Sequence, residues 1–229
     1  FQSEPEQLFG RFVEERRADA VIVIGTTANL PAWEHFRNLA EDQPNMAFWG
    51  VGGEENEWVR SDNLQGAQLA VERLVAAGHR RIAFVGETGG HQLQFGERYE
   101  GYCRAMTAQG LAPPPPVTGT GETRDGQGRA AMEAILNGDR PDGLFFACDA
   151  MALGALEELA SLGIAVPDQV GVIGFDGLGS GEFSAPPLTT VQPDFAQAGM
   201  TLVDTALASG EDRPERRVKV HLVERASVR

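Results

Sequence analysis

Apolar residues along this chain switch between two periods. Short apolar runs at residues 20–24, 46–51, 81–85, 144–147, 170–175 and 218–223 read as strands, and 170–175 has the continuous hydrophobicity of one buried on both faces. Between them the apolar positions recur at helical spacing. The clearest case is residues 65–77, where Ala67, Ala70, Val71, Leu74 and Val75 fall at i, i+3, i+4, i+7 and i+8. Similar patterns predict helices over about 6–17, 33–41, 97–109, 128–136, 150–162 and 195–209. This alternation specifies an α/β fold, with a mainly parallel sheet and helices on both faces. The prolines at 113–116 mark a surface connector, since no central strand accommodates them.

Residues 141–176, PDGLFFACDAMALGALEELASLGIAVPDQVGVIGFD, carry the most information. They read as strand, helix, loop and strand, with an acid closing each strand. Asp149 stands at an N-cap position, and Gly163 and Pro167 end the helix. Asp176 stops the second strand before Gly177. In open parallel sheets the ligand crevice lies beyond the carboxyl ends of the strands, so Asp149 and Asp176 are the first candidates for ligand contact.

A chain of 229 residues suffices for one large domain or two small ones, and the pattern favours two. The formal charge of −14 argues against nucleic-acid or anionic-membrane binding by this segment itself. Two cysteines, Cys103 and Cys148, on a helix and at a strand end, fit a reducing compartment better than a disulfide framework. No apolar run reaches the roughly 18 residues of a membrane span, and the first residues do not read as a signal peptide. Because the chain opens on a helix, a leading strand-helix unit is expected to be absent.

The parts of an enzyme are missing. The four histidines, His35, His79, His91 and His221, show neither paired metal spacing nor HExxH, so no metal site is expected. GVIGFDG does not satisfy GxGxxG, and GETGG lacks the GKS or GKT that a phosphate loop requires, so no nucleotide cofactor is expected. Ser180 in GLGSGEF lacks the glycine two positions before it that a nucleophile elbow needs. Asp149 and Asp176 could pair as acid and base, but carboxylates at strand ends suit hydrogen bonds to ligand hydroxyls equally well. No catalytic residue is assigned, and the chain is read as a non-enzyme.

Six blocks in order resemble one family: SDNLQGAQLAVERLVAAGHRRIAFVG, ERYEGYCRAM, ACDAMALGAL, VPDQVGVIGFD, PPLTTVQPD and LVERAS. Together they are similar to the effector-binding core of the LacI/GalR family of bacterial transcription regulators. The resemblance implies two Rossmann-like subdomains with parallel sheets, joined by three crossovers near Gly78, Thr190 and Val220, in the periplasmic-binding-protein-like type I arrangement. One subdomain would comprise residues 1–78 plus 191–219, the other 79–190 plus 220–229.

It also implies a ligand set. Arg98 of ERYEGY corresponds to the family's ligand-contacting arginine, and Asp176 of GFD to the acid that accepts from ligand hydroxyls. Cys148 stands where many members carry asparagine, and a thiol is the weaker hydrogen-bonding group. Thr123 falls near the place of the family's stacking aromatic, leaving Phe146, Phe48 or Trp49 to supply a ring. Thr26 would reach the ligand from the other subdomain.

The function implied is the effector-sensing and dimerising core of a cytoplasmic LacI-type repressor. Its effector would be a small polar metabolite, a sugar or sugar derivative, and it would form a homodimer. Operator DNA would be contacted only through a headpiece outside these residues, and no membrane is involved. The alternative is a periplasmic solute-binding protein of a sugar transport system.

Overall fold

The computed structural model describes residues 18–24, 45–50, 59–89, 93–138, 140–208 and 216–229. The helices expected over 6–17 and 33–41, and Thr26, lie outside these residues. The chain divides into two compact units, residues 1–61 with 194–219, and residues 62–193 with 220–229.

In the first unit β1 (Val21–Ile24) runs parallel to β2 (Met46–Trp49), and β3 (Arg60–Ser61) pairs in parallel with β8 (Arg217–Val218). Helix α5 (Phe195–Leu207) begins at Asp194, whose side chain accepts from the Gln197 N–H at 2.9 Å. Its buried Ala198, Leu202 and Ala206 pack with Ala47, Val59 and Val218, and Trp49 lies partly buried against this cluster.

The second unit is built on a five-stranded sheet in the order β4 (Ile82–Val85), β5 (Gly143–Phe146), β6 (Gly171–Phe175), β7 (Thr189–Pro193), β9 (Val220–Val223). The first four strands are parallel and β9 is antiparallel to β7. Around it lie α1 (Asn63–Ala76), α2 (Leu93–Ala108), α3 (Arg124–Leu136) and α4 (Asp149–Ser161). Every residue of β4, β5 and β6 is buried, as the unbroken apolar runs require.

Three differences from the sequence reading have physical causes. First, α1 belongs to the second unit, so the chain crosses at Ser61 and Asp62 rather than near Gly78; its buried Ala67, Ala70, Val71 and Leu74 fill the second unit's core. Second, the run 218–223 is two strands, because Val218 pairs with Ser61 while Val220 pairs with Pro193. Third, TTVQP forms β7 although it has no continuous apolar run. Thr189 and Thr190 are buried with partners: Ser227 Oγ accepts from the Thr189 N–H at 2.8 Å, and Thr190 donates to Asp149.

Helices α3 and α4 touch through glycine. A Cβ on Gly128 would sit 2.0 Å from the Met151 carbonyl oxygen, and one on Gly154 would sit 2.1 Å from that of Asp125. Backbone meets backbone there, which fixes both helix starts against each other.

Candidate functional site

Each strand from β4 to β6 feeds its following segment at the carboxyl edge of the second unit's sheet. Helices α2, α3 and α4 begin there, and the site grows from their first turns.

Arg98 lies in the second turn of α2. One turn later Tyr102, fully buried, donates its hydroxyl to the Ile82 carbonyl at 2.8 Å and seats the helix on β4. The Arg98 side chain is only 6% exposed. Its Nε donates to Asn63 Oδ1 at 2.9 Å, one terminal nitrogen donates to the Ala147 carbonyl, and the same nitrogen lies 3.1 Å from Asp176 Oδ1. The guanidinium carbon stands 3.6 Å from the centre of the Phe175 ring and 5.6 Å from that of Phe95, so ring faces hold its plane. Asn63 is itself oriented, donating to Glu97 Oε2 at 2.7 Å.

Asp176 ends β6 at φ +112°, and Gly177 follows at +70°. A positive φ is costly for a residue with a Cβ. The turn aims the Asp176 carboxylate at Arg98 while leaving the side chain 38% exposed. Desolvation raises its pKa above the ordinary carboxylate value, against the opposing charges of Arg98 and Arg124. Arg98 and Asp176 thus form an ion pair with one shielded and one open partner. The open carboxylate edge can accept from hydroxyl or N–H donors of a small molecule.

Asp149 differs from its expected role. Cys148 is the N-cap of α4 and Asp149 the first helical residue. The Asp149 side chain turns away from its own helix: Oδ1 accepts from the Thr190 hydroxyl at 2.6 Å, and Oδ2 from the Leu178 N–H at 2.7 Å. It is fully buried, and that desolvation raises its pKa to about 7 against the pull of both hydrogen bonds. Gly174 is required beside it, since a Cβ there would lie 2.1 Å from Asp149 Oδ1.

Cys148 is 5% exposed, and burial pushes its thiol up to about 11, with Asp176 adding to the shift. It therefore stays a neutral thiol at physiological pH. Thr123 caps α3, its hydroxyl accepting from the Gly126 N–H at 3.3 Å. Phe146 has no exposed surface and packs in the core, so it turns no ring face to the edge of the sheet. Phe48 is buried too, in the first unit.

The structure thus brings Arg98, Asp176 and Cys148 together, with Asp149 behind them and Thr123 at the next helix start. Asn63, Phe95 and Phe175 were missing from the sequence reading. Nothing in a helix-start asparagine or a strand-end phenylalanine announces an arginine as its tertiary partner. A pocket of about 200 Å³ opens past β4, lined by Val85, Gly86, Glu87, Thr118, Gly119, Gln127 and Met151, none of them a member of the ion pair. Among the described residues no cluster of His, Cys, Asp or Glu could hold a metal ion, and no helix is long and apolar enough to cross a membrane.

Residues 71–228 match the family described as periplasmic binding protein-like domain. The HTH-type transcriptional repressor PurR of Glaesserella parasuis serovar 5 is 32% identical over 160 residues, covering 69% of this chain and 47% of that protein. The ribose operon repressor of Escherichia coli K12 is 30% identical over 207 residues, covering 88% of this chain and 62% of the repressor. The chain thus spans about half to three fifths of the length of these relatives. Among solved structures, a complex of the transcriptional regulator CelR with cellobiose superimposes with a TM-score of 0.72 at 28% identity, covering 97% of this chain and 69% of that one.

Proposed function

The chain belongs to the LacI-type regulators of the periplasmic-binding-protein-like family, and on that premise we propose that it is the effector-sensing core of a cytoplasmic transcriptional repressor. The observation that carries this reading is the Arg98–Asp176 pair, a buried guanidinium locked beside a half-open carboxylate at the carboxyl edge of a parallel sheet.

The effector is a small polar metabolite, a sugar or sugar derivative. Asp176 accepts from its donors, Arg98 reinforces that carboxylate and offers its remaining N–H groups, and Thr123 and Cys148 border the site. Asp149 and Phe146 support it from within, and Thr26 belongs to the same ligand set by the family resemblance alone. The cellobiose-bound relative supports the sugar assignment. The transcriptional-repressor relatives support a chain that binds its ligand without turning it over.

Subdomain limits are those the contacts draw, residues 1–61 with 194–219 and residues 62–193 with 220–229. Ligand that bridges the two subdomains favours the closed form, and its leverage is bounded by its difference in affinity between open and closed states. In a homodimer, closure changes the spacing of paired DNA-binding headpieces, whose half-sites lie about 34–36 Å apart. The repressor relatives favour this reading over a solute-binding protein of a transport system.

A thermal-shift screen against monosaccharides, disaccharides, sugar phosphates, polyols and nucleobases tests it. Binding to the native state raises the melting temperature by mass action. A hit that also changes operator binding by the full-length protein supports a sensor, whereas hits without any effect on DNA binding return the transport alternative.

A further inference from the structure

The turn that carries Asp176 is tied down at three successive backbone N–H groups. That of Asp176 donates to the Val191 carbonyl at 2.8 Å, that of Gly177 to Thr190 Oγ1 at 3.3 Å, and that of Leu178 to Asp149 Oδ2 at 2.7 Å. Thr190 and Asp149 are also joined to each other by the 2.6 Å bond. Two side chains from two different elements therefore hold a turn whose first residue sits at φ +112°. Such a conformation persists only where its surroundings over-determine it. At the end of the neighbouring strand β5, the Ala147 carbonyl accepts from Arg98. The segment Ala147–Cys148–Asp149 thus touches both members of the ion pair, Arg98 directly and Asp176 through its turn.

Stability alone does not explain a carboxylate here. Burying one is costly even with partners, and Asp149 caps no helix. We infer that Asp149, acting with Thr190, is the positioning residue of the effector site: it fixes the Asp176 turn so that the carboxylate meets Arg98 and presents its open edge to ligand. The inference rests on reading Asp176 as an effector contact. Asp149 itself has both oxygens engaged by protein and acts through Asp176. The charged groups that bear on it are Asp176 at the end of β6 and Arg225 after β9, while Asp176 is faced by Arg98 and Arg124.

Asp149→Asn and Asp149→Ala remove the same charge, but asparagine keeps a carbonyl oxygen for the Leu178 N–H and can donate its amide to Thr190 Oγ1, whereas alanine keeps neither bond, so comparing the two isolates positioning from electrostatics. The readouts on this chain are the carboxyl carbon titration of Asp176 and hydrogen exchange of the Arg98 Nε–H, both by NMR. In Asp149→Asn both signals should stay close to wild type once the lost charge is allowed for. In Asp149→Ala the Asp176 midpoint should rise by about one unit relative to Asp149→Asn, and Arg98 exchange should quicken by roughly tenfold, as the ion pair loosens. Identical midpoints and exchange rates in the two variants would overturn the inference. Should Asp149→Ala fail to fold, Thr190→Val against Thr190→Ser makes the same comparison through the hydroxyl. With D-ribose and cellobiose as probes, loss of binding in Asp149→Ala but not in Asp149→Asn supports the inference further. If neither sugar binds wild type, the sugar assignment is what fails, and the NMR comparison still decides the role of Asp149.

Discussion

Thr190 donates a 2.6 Å hydrogen bond to Asp149 from a strand end, and both side chains are fully withdrawn from solvent. Asp149 is the only one of the two that titrates, and its burial has a consequence for stability. Its pKa is raised from 3.8 to about 7 in the folded chain, so the folded state binds this proton more tightly than the unfolded state does. Below about pH 4 both states are protonated and the group is neutral to stability. Above about pH 7 both are ionised and the desolvation penalty is complete. Stability from this group therefore falls as pH rises from about 4 to about 7, by at most about 4 kcal/mol at 1.4 kcal/mol per unit. Asp149→Asn should flatten that slope and melt above wild type at pH 8. Parallel melting-temperature profiles of the two proteins across this range would contradict it.

Glycines in the helices divide by what surrounds them. Gly128→Ala and Gly154→Ala drive a Cβ into backbone oxygen at 2.0 and 2.1 Å, whereas Gly199 on α5 has nothing within 4 Å of the position. The first two should each cost roughly 1–3 kcal/mol in urea unfolding, and Gly199→Ala should stabilise by about 0.5–1 kcal/mol. Equal effects at all three would remove the close α3–α4 contact from the explanation.

The LVERAS block is explained by Ser227. Its hydroxyl, fully buried, donates to the Val172 carbonyl at 2.6 Å and accepts from the Thr189 N–H at 2.8 Å, stitching the tail to β6 and β7. Ser227→Ala leaves the Thr189 N–H buried and unpaired, at a cost of about 1–3 kcal/mol. Chemical denaturation checks this, and a loss under half a kcal/mol would show that the strand finds another acceptor.

Much of this arrangement was legible in the sequence where a single period ruled. The fully apolar runs became the buried strands β4 to β6, and the spacing of Ala67, Ala70, Val71 and Leu74 became the inner face of α1. Where two neighbours in space decide, the sequence was silent. Thr189 to Pro193 lacks an apolar run, but its β-branched residues suit a strand and its buried threonine hydroxyls find partners in the Arg225 N–H and Asp149. Asp149 looked like a cap because its position fits one, and only the fold shows that its carboxylate crosses to the next strand ends. Arg98 and Asp176 were singled out by their motifs, and the fold pairs their side chains. The rings of Phe95 and Phe175 that hold Arg98 carry no local signal.

Calorimetric titration of the strongest ligand from the screen into wild type, Arg98→Ala and Asp176→Ala tests the central claim most directly. If the ion pair is the heart of the effector site, each variant should lose about 2–5 kcal/mol of binding free energy, since each truncation leaves a partner charge without its mate. Both should still show the cooperative unfolding of a folded protein. A ligand that binds all three with one affinity would place the effector site elsewhere.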